Sequence, residues 1–224
     1  MLLLLVRHAV TTVTGMRLTG WLPGFHLSPA GRRQAEAVAE RLAAVPVKAV
    51  YTSPLERCTE TAAAIAARHG LETKVVEGLG EVRYGDWQGR PLRALYRTKA
   101  WKELITHPAD FRFPGGETIR ETQTRAVTTV QSLLERHARQ AVVAVSHADV
   151  IRLLVAAYLG LGLDLYQRTS IAPASLTAIL LGDRIPHVLR VSDAVSVEDL
   201  ARRLEVPDAR PKASATRGRK NGQP

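Results

Sequence analysis

The sequence predicts an α/β fold: a three-layer α/β/α sandwich around a mainly parallel central sheet. Three observations predict it. Apolar runs of strand length recur at residues 2–6, 49–52 and 141–145. Segments with the apolar spacing of helices, roughly 10 to 20 residues long, separate such runs, which is the pattern of βαβ units. The runs are apolar at successive positions, so both faces of each strand are covered, as in parallel sheets. At 224 residues the chain can close one such domain with a full core.

Taken in order, residues 2–7 form the first strand, and Arg7-His8 ends it. Ser28-Pro29 opens a helix to about residue 43. Serine accepts from the free N–H groups of a first turn, and proline suits the first helical position. The apolar face of this helix is Ala35, Val38, Ala39 and Leu42. Residues 49–52 are a short strand. Ser53-Pro54-Leu55-Glu56 then reads as a capping box with proline in the first turn. The alanine-rich helix it starts stops at Gly70, and residues 73–76 read as a third strand.

Residues 78–89 are a glycine-punctuated loop, and helical pieces cover about 92–106, broken before Pro108. After the Pro114-Gly115-Gly116 turn, a long helix spans about 117–138. A strand at 141–145 and a helix at 148–159 follow. Residues 176–181 and 187–191 are late strands joined as a hairpin at Gly182-Asp183. Residues 1–206 are expected to form the single domain. Residues 207–224, rich in Pro, Gly, Lys and Arg, are expected to be a basic disordered tail. There is no internal repeat.

The formal net charge is +10. The tail holds five Arg or Lys against one Asp, so +6 stays with the domain. That excess suits an anionic ligand without naming one. Nucleic acid is the weaker reading, because aromatics are only 5% and no basic stripe alternates with them. No apolar stretch approaches the ~20 residues of a membrane helix. Residues 1–6 are too short for a signal segment and lack its basic flank. The single cysteine, Cys58, excludes an internal disulfide and argues against a cysteine-based zinc site. The expectation is a cytoplasmic protein with no membrane contact, no metal and no cofactor.

In parallel sheets ligands bind beyond the carboxyl ends of the strands. Two histidines lie there: His8 after the first strand, and His147, in Ser146-His147-Ala148, after strand 141–145. They can converge on one crevice. A neutral imidazole is a competent nucleophile toward phosphorus near pH 7, and Arg7 beside it can hold a phosphate. The start of the following helix leaves the Ala148 N–H free for an anion.

Five spaced blocks occur in order. They are Arg7-His8-Ala9; Leu27-Ser28-x-x-Gly31-x-x-Gln34-Ala35; Thr52-Ser53-Pro54-Leu55-x-Arg57-x-x-x-Thr61-Ala62; Glu81-x-x-Tyr84-Gly85-x-Trp87-x-Gly89; and Ser146-His147-Ala148. Together they resemble the histidine phosphatase superfamily, the phosphoglycerate mutase-like fold, over about residues 2–192. Residues 108–117 and Asp164-x-x-Gln167-Arg168…Pro173-Ala174-Ser175 are similar to actinobacterial phosphatases described as phosphomutases.

The resemblance implies that His8 is the nucleophile, Arg7 and Arg57 clamp the phosphoryl oxygens, and His147 is a second imidazole that orients the phosphate. It implies Glu81 as general acid, with the arginines supplying the charge that a metal supplies elsewhere. Arg57 also stands out physically. A cation in the first turn of a helix opposes the dipole unless an anion sits nearby. Thr11 and Thr14 are implied as donors to phosphate, although asparagine is common where Thr14 stands. Thr19 and Gly20, with Trp21, resemble the loop by which mutases contact substrate. Ala9 replaces the usual glycine, a change of fit rather than of chemistry.

Asp86 is a reserve acid outside the matching position, and His26 is expected at the pocket rim. Tyr84 and Trp87 are expected to pack the loop, and Cys58 to be a small packing residue. Three functions follow: a metal-independent phosphatase working through phosphohistidine, a phosphoglycerate-type mutase, or a non-catalytic module that binds phosphorylated ligands. The short interval between Glu81 and His147, and the lack of an Arg-Arg-Ser motif in it, favour the phosphatase. The expected partner is a small phosphorylated metabolite, with selectivity in residues 90–117. A homodimer is the assembly the family implies.

Overall fold

The computed structural model describes residues 1–182 and 185–194. Its six strands are β1 (Leu2–Arg7), β2 (Val47–Thr52), β3 (Thr73–Val75), β4 (Ala141–Ser146), β5 (Leu176–Leu180) and β6 (His187–Asp193). They form one sheet in the order β3-β2-β4-β1-β5-β6. The four strands from β3 to β1 are mutually parallel, and β5 and β6 complete the sheet antiparallel. The register between β1 and β4 runs from Leu2 opposite Ala141 to Arg7 opposite Ser146. His8 and His147 therefore leave adjacent strands at one level, joined by the His8 N–H donating to the Ser146 carbonyl at 2.9 Å.

The helices are α1 (Pro29–Leu42), α2 (Glu56–Arg68), α3 (Leu92–Leu95), α4 (Lys99–Thr106), α5 (Ile119–Arg136) and α6 (Ala148–Leu159). Leu4, Val6, Val50, Val143 and Val145 face α1 and α2, and Leu3, Leu5, Val142 and Ala144 face α5 and α6. Alternate residues of each central strand thus feed two cores, which is why the runs are apolar throughout. Each fully buried Leu or Val contributes roughly 1.5–3 kcal/mol of transfer free energy. A third cluster, centred on Trp87, Phe111, Phe113 and Leu95, covers the carboxyl end of the sheet.

Ser28 caps α1 as expected, accepting from the Gly31 N–H at 3.0 Å. The Ser53–Glu56 capping box does not form. α2 starts at Glu56 with Leu55 as its uncapped N-cap, because the Ser53 hydroxyl is 2.8 Å from His147 Nε2 instead. Among the described residues a capping box forms at α5, where Thr118 and Glu121 bond reciprocally. The hairpin pairing of β5 with β6 forms, while Asp183 of its expected turn lies outside the described residues. So do the domain end at 206 and the segment 207–224.

Candidate active site

Arg7, His8, Thr11, Thr14, Thr19, Gly20, Arg57, Glu81 and Ala148 all line one cavity of about 310 Å³ beyond the carboxyl ends of β1 and β4. Nine of the ten expected site residues therefore share a single space. The tenth, His147, is fully buried behind it, its ring centroid 5.3 Å from that of His8.

His8 is 7% exposed. Its Nδ1 lies 2.8 Å from the Ala9 carbonyl. A carbonyl only accepts, so Nδ1 carries the proton and Nε2 keeps its lone pair. Burial, then the charges of Arg7 and Arg57, hold this imidazole well below the usual histidine range. The ring is therefore neutral, with Nε2 unprotonated.

The segment after His8 is pinned from two helices. The Ala9 N–H donates to Thr61 Oγ1 at 3.1 Å, and Thr61 donates to the Arg57 carbonyl at 2.7 Å, which ties β1 to α2. The Val10 N–H donates to Gln34 Oε1 at 3.1 Å, and the Ser28 N–H donates to the Val10 carbonyl at 3.0 Å. A Cβ on Gly31 would lie 2.0 Å from that same carbonyl, so only glycine lets α1 approach this closely. Thr11 and Thr14 join through their hydroxyls at 3.0 Å, and Thr14 Oγ1 also accepts the Thr11 N–H at 2.8 Å.

Arg57 is 1% exposed. Its Nη2 donates to the Gly20 carbonyl at 2.9 Å and to His147 Nδ1 at 3.2 Å. Its Nε and Nη1, and the Nε of Arg7, are buried with no acceptor among the described residues. Arg7 Nη1 donates to the Ile171 carbonyl at 2.6 Å. The Nε atoms of Arg125 and Arg152 are unpaired in the same way, so what sets Arg7 and Arg57 apart is that both cations line the cavity with His8, where an anion would offset the cost of burying them.

The partners of His147 define its proton. Arg57 can only donate, so Nδ1 accepts, and Nε2 donates to Ser53 Oγ. Burial, then the charges of Arg57, His8, Arg7 and Arg125, hold this ring well below the usual histidine range. Glu81 Oε2 lies 3.6 Å from Nδ1, a contact with a neutral ring rather than an ion pair. Cys58, also buried, has its thiol pushed up to about 12 by burial, then offset in part by Arg57, which fits a packing residue beside His147.

Glu81 is pushed up to about 7, first by burial and then by the charge of Asp149, against the pull of Arg57 and Arg7. Its loop is held by its backbone. Trp21 Nε1 donates to the Glu81 carbonyl at 2.6 Å, and Arg125 of α5 donates to the carbonyls of Gly78, Gly80 and Glu81 at 2.9, 2.9 and 3.2 Å. Trp21 does not line the cavity, so the Thr19-Gly20-Trp21 loop meets it through Thr19 and Gly20 while the indole braces the Glu81 loop.

Several functional residues escaped sequence reasoning. Asp149 lines the cavity, accepts from the Tyr84 hydroxyl at 2.9 Å and pairs with Arg152 at 2.8 Å. The signal was an i,i+3 acid–base pair in the otherwise apolar helix after His147. Tyr84 lines the cavity as well as packing, so its expected role as filler was too narrow. Arg125 gave no signal, since it looks like any exposed-face arginine of a long helix. Two expectations fail. Asp86 is exposed and outside the cavity, its loop turned outward by the Asp86 N–H donating to the Pro114 carbonyl at 2.8 Å. His26 is also outside it, drawn to Glu60 on α2.

Comparison with known proteins shows the family. The chain is 28% identical over 192 residues to phosphoserine phosphatase 1 of Hydrogenobacter thermophilus, covering 85% of this chain and 91% of that protein. It is 35% identical over 157 residues to phosphoglycerate mutase-like protein 4 of Arabidopsis thaliana, covering 68% of each. The solved structure of Bacillus stearothermophilus YhfR superposes with a TM-score of 0.81 at 29% identity, covering 86% of this chain and 97% of that one. The family model of the histidine phosphatase superfamily, branch 1, matches residues 3–194, and on that span the chain belongs to this superfamily.

Proposed function

We propose that the protein is a phosphatase that hydrolyses a phosphomonoester through a phosphohistidine formed on His8. The observation that carries the reading is a neutral His8 with an unprotonated Nε2, lining one cavity together with Arg7 and the buried Arg57. Arg7 and Arg57 grip the phosphoryl oxygens, aided by Thr11, Thr14 and the start of α6 at Ala148. His8 Nε2 attacks phosphorus as the ester P–O bond breaks, and protonated Glu81 gives its proton to the leaving oxygen. Water then attacks phospho-His8, its proton passes to Glu81, and the N–P bond breaks. His147 works through Arg57, fixing the fork that meets the phosphate.

The phosphatase reading is preferred over the mutase. The Thr19-Gly20-Trp21 loop meets the cavity through Thr19 and Gly20, as either reading allows, and the short interval between Glu81 and His147 without an Arg-Arg-Ser motif favours the phosphatase. Among the described residues no helix is long and apolar enough to cross a membrane. The reading includes a cytoplasmic location, a small phosphorylated metabolite as partner, a homodimer, one domain to residue 206 and catalysis without metal.

The test is mass spectrometry and kinetics on His8→Ala. Activity toward phosphate esters is expected to fall by about 10⁴-fold or more, with loss of the phosphorylated peptide. EDTA is expected to change nothing. Retained turnover in the variant, or restoration by an added metal after EDTA, overturns the mechanism.

A further inference from the structure

Glu81 is held at the cavity by its backbone more than by its side chain. Among the described residues its carboxyl accepts one hydrogen bond, from the Val82 N–H of the same loop at 3.0 Å, and its other oxygen lies 3.6 Å from His147 Nδ1. Where the carboxyl sits therefore follows from the path of residues 78–83. Two side chains outside the cavity set that path: Arg125 of α5, and Glu117 just before that helix.

The two terminal nitrogens of Arg125 meet four acceptors. Nη1 donates to the Gly78 and Gly80 carbonyls, both at 2.9 Å, and Nη2 donates to the Glu81 carbonyl at 3.2 Å and to Glu117 Oε1 at 2.7 Å. Three carbonyl oxygens from four successive residues repel one another unless donors stand between them. The rigid fork of a guanidinium supplies those donors in one plane. Glu117 takes the far end of the loop. Its Oε1 also accepts the Arg83 N–H at 2.8 Å, and its own N–H donates to the Arg83 carbonyl at 3.0 Å. Glu81 is thus strung between two anchors, and the anchors are the two halves of one ion pair, 21% exposed at Arg125 and 12% at Glu117.

Resting on the phosphatase reading, we propose that the Arg125–Glu117 pair is a positioning device for proton transfer, holding the Glu81 loop so that its carboxyl meets the leaving oxygen of a phosphate seated on Arg7 and Arg57. Neither member touches the substrate. A misplacement of Glu81 by about 1 Å is enough to cost up to about 10²-fold in rate while the grip on phosphate stays intact.

The experiment compares kcat/KM of the full-length enzyme for phenyl phosphate and p-nitrophenyl phosphate, two esters of nearly the same shape. Nitrophenolate leaves with little help, whereas phenolate needs the proton. Arg125→Met is expected to lower the phenyl to p-nitrophenyl ratio about tenfold, while inorganic phosphate keeps its competitive inhibition constant within about twofold. In the Glu81→Gln background the same substitution is expected to leave the ratio unchanged, because the acid through which it acts is already gone. Arg125→Met leaves Glu117 as a largely buried unpaired charge, so thermal melting accompanies each variant. Glu117→Gln/Arg125→Met removes both charges and is expected to lower the ratio as well.

An unchanged ratio, an equal loss for both esters with weakened phosphate binding, or a fall that persists in the Glu81→Gln background overturns the inference while the parent enzyme still forms phospho-His8. Loss of the folded state in both variants assigns the pair to stability alone and overturns it too. A parent enzyme whose His8 is labelled by neither ester overturns the phosphatase reading and this inference together.

Discussion

His8 and Glu81 are shifted in opposite directions by the same burial. Taking charge out of water disfavours the imidazolium at His8 and the carboxylate at Glu81, so one stays a base and the other stays an acid near neutrality. In the proposed mechanism, neutral His8 with protonated Glu81 is the competent pair for attack on the ester. Glu81 loses its proton as pH rises through about 7, so kcat/KM is expected to fall on the alkaline side. His8, held well below 6.5, imposes no acid limb near neutrality. Glu81→Gln cannot lose a proton. It is expected to lower kcat by about 10²- to 10⁴-fold and to abolish the alkaline limb, least severely for an ester whose alcohol leaves unaided. An alkaline limb that survives in Glu81→Gln assigns the titration to another group. Asp149→Asn removes a negative charge that raises Glu81, so the limb should move to lower pH, read from the same pH profile.

Helix α1 acts on the site without touching the cavity-facing ring of His8. Ser28, Gly31 and Gln34 all converge on Val10, two residues after His8. Gly31→Ala would drive a methyl group into the Val10 carbonyl. Overpacking of this kind costs about 1–3 kcal/mol, so the denaturation midpoint should drop, and the displaced loop should lower kcat as well. An unaltered midpoint and kcat would mean that α1 stands further from the loop. The same element-level view explains two motif blocks. Leu27 to Ala35 secures the segment after His8, and Arg57 with Thr61 presents one face of α2 to both the cavity and the Ala9 N–H.

For the molecule as a whole, the excess charge has a kinetic consequence. A substrate dianion approaching a cavity walled by Arg7, Arg57 and Arg17 within a positively charged chain is drawn in at long range. The Debye length shrinks from ~30 Å at 0.01 M salt to ~10 Å at 0.1 M. Across that range kcat/KM for a dianionic ester is expected to fall several-fold, mainly through KM, measured in initial-rate assays at fixed pH. Salt independence would show that steering contributes nothing and that only the buried contacts hold the phosphate.

The layered fold, the order of its elements and the chemistry at two strand ends were readable along the chain. The continuous apolar runs, the Ser28-Pro29 cap and Arg7-His8 at the end of such a run depend on neighbours a few residues apart. The resemblance carried by the motif blocks extended this to Arg57 and Glu81. Folding alone decided that β4 lies beside β1 with Arg7 opposite Ser146, that Ser53 serves His147 instead of capping α2, and that Asp149 and Arg125 reach the loop of Glu81. Hydrogen bonds and Coulomb forces act across a few ångströms of space. Between segments remote in the chain, that distance exists only after the sheet has paired and the helices have packed.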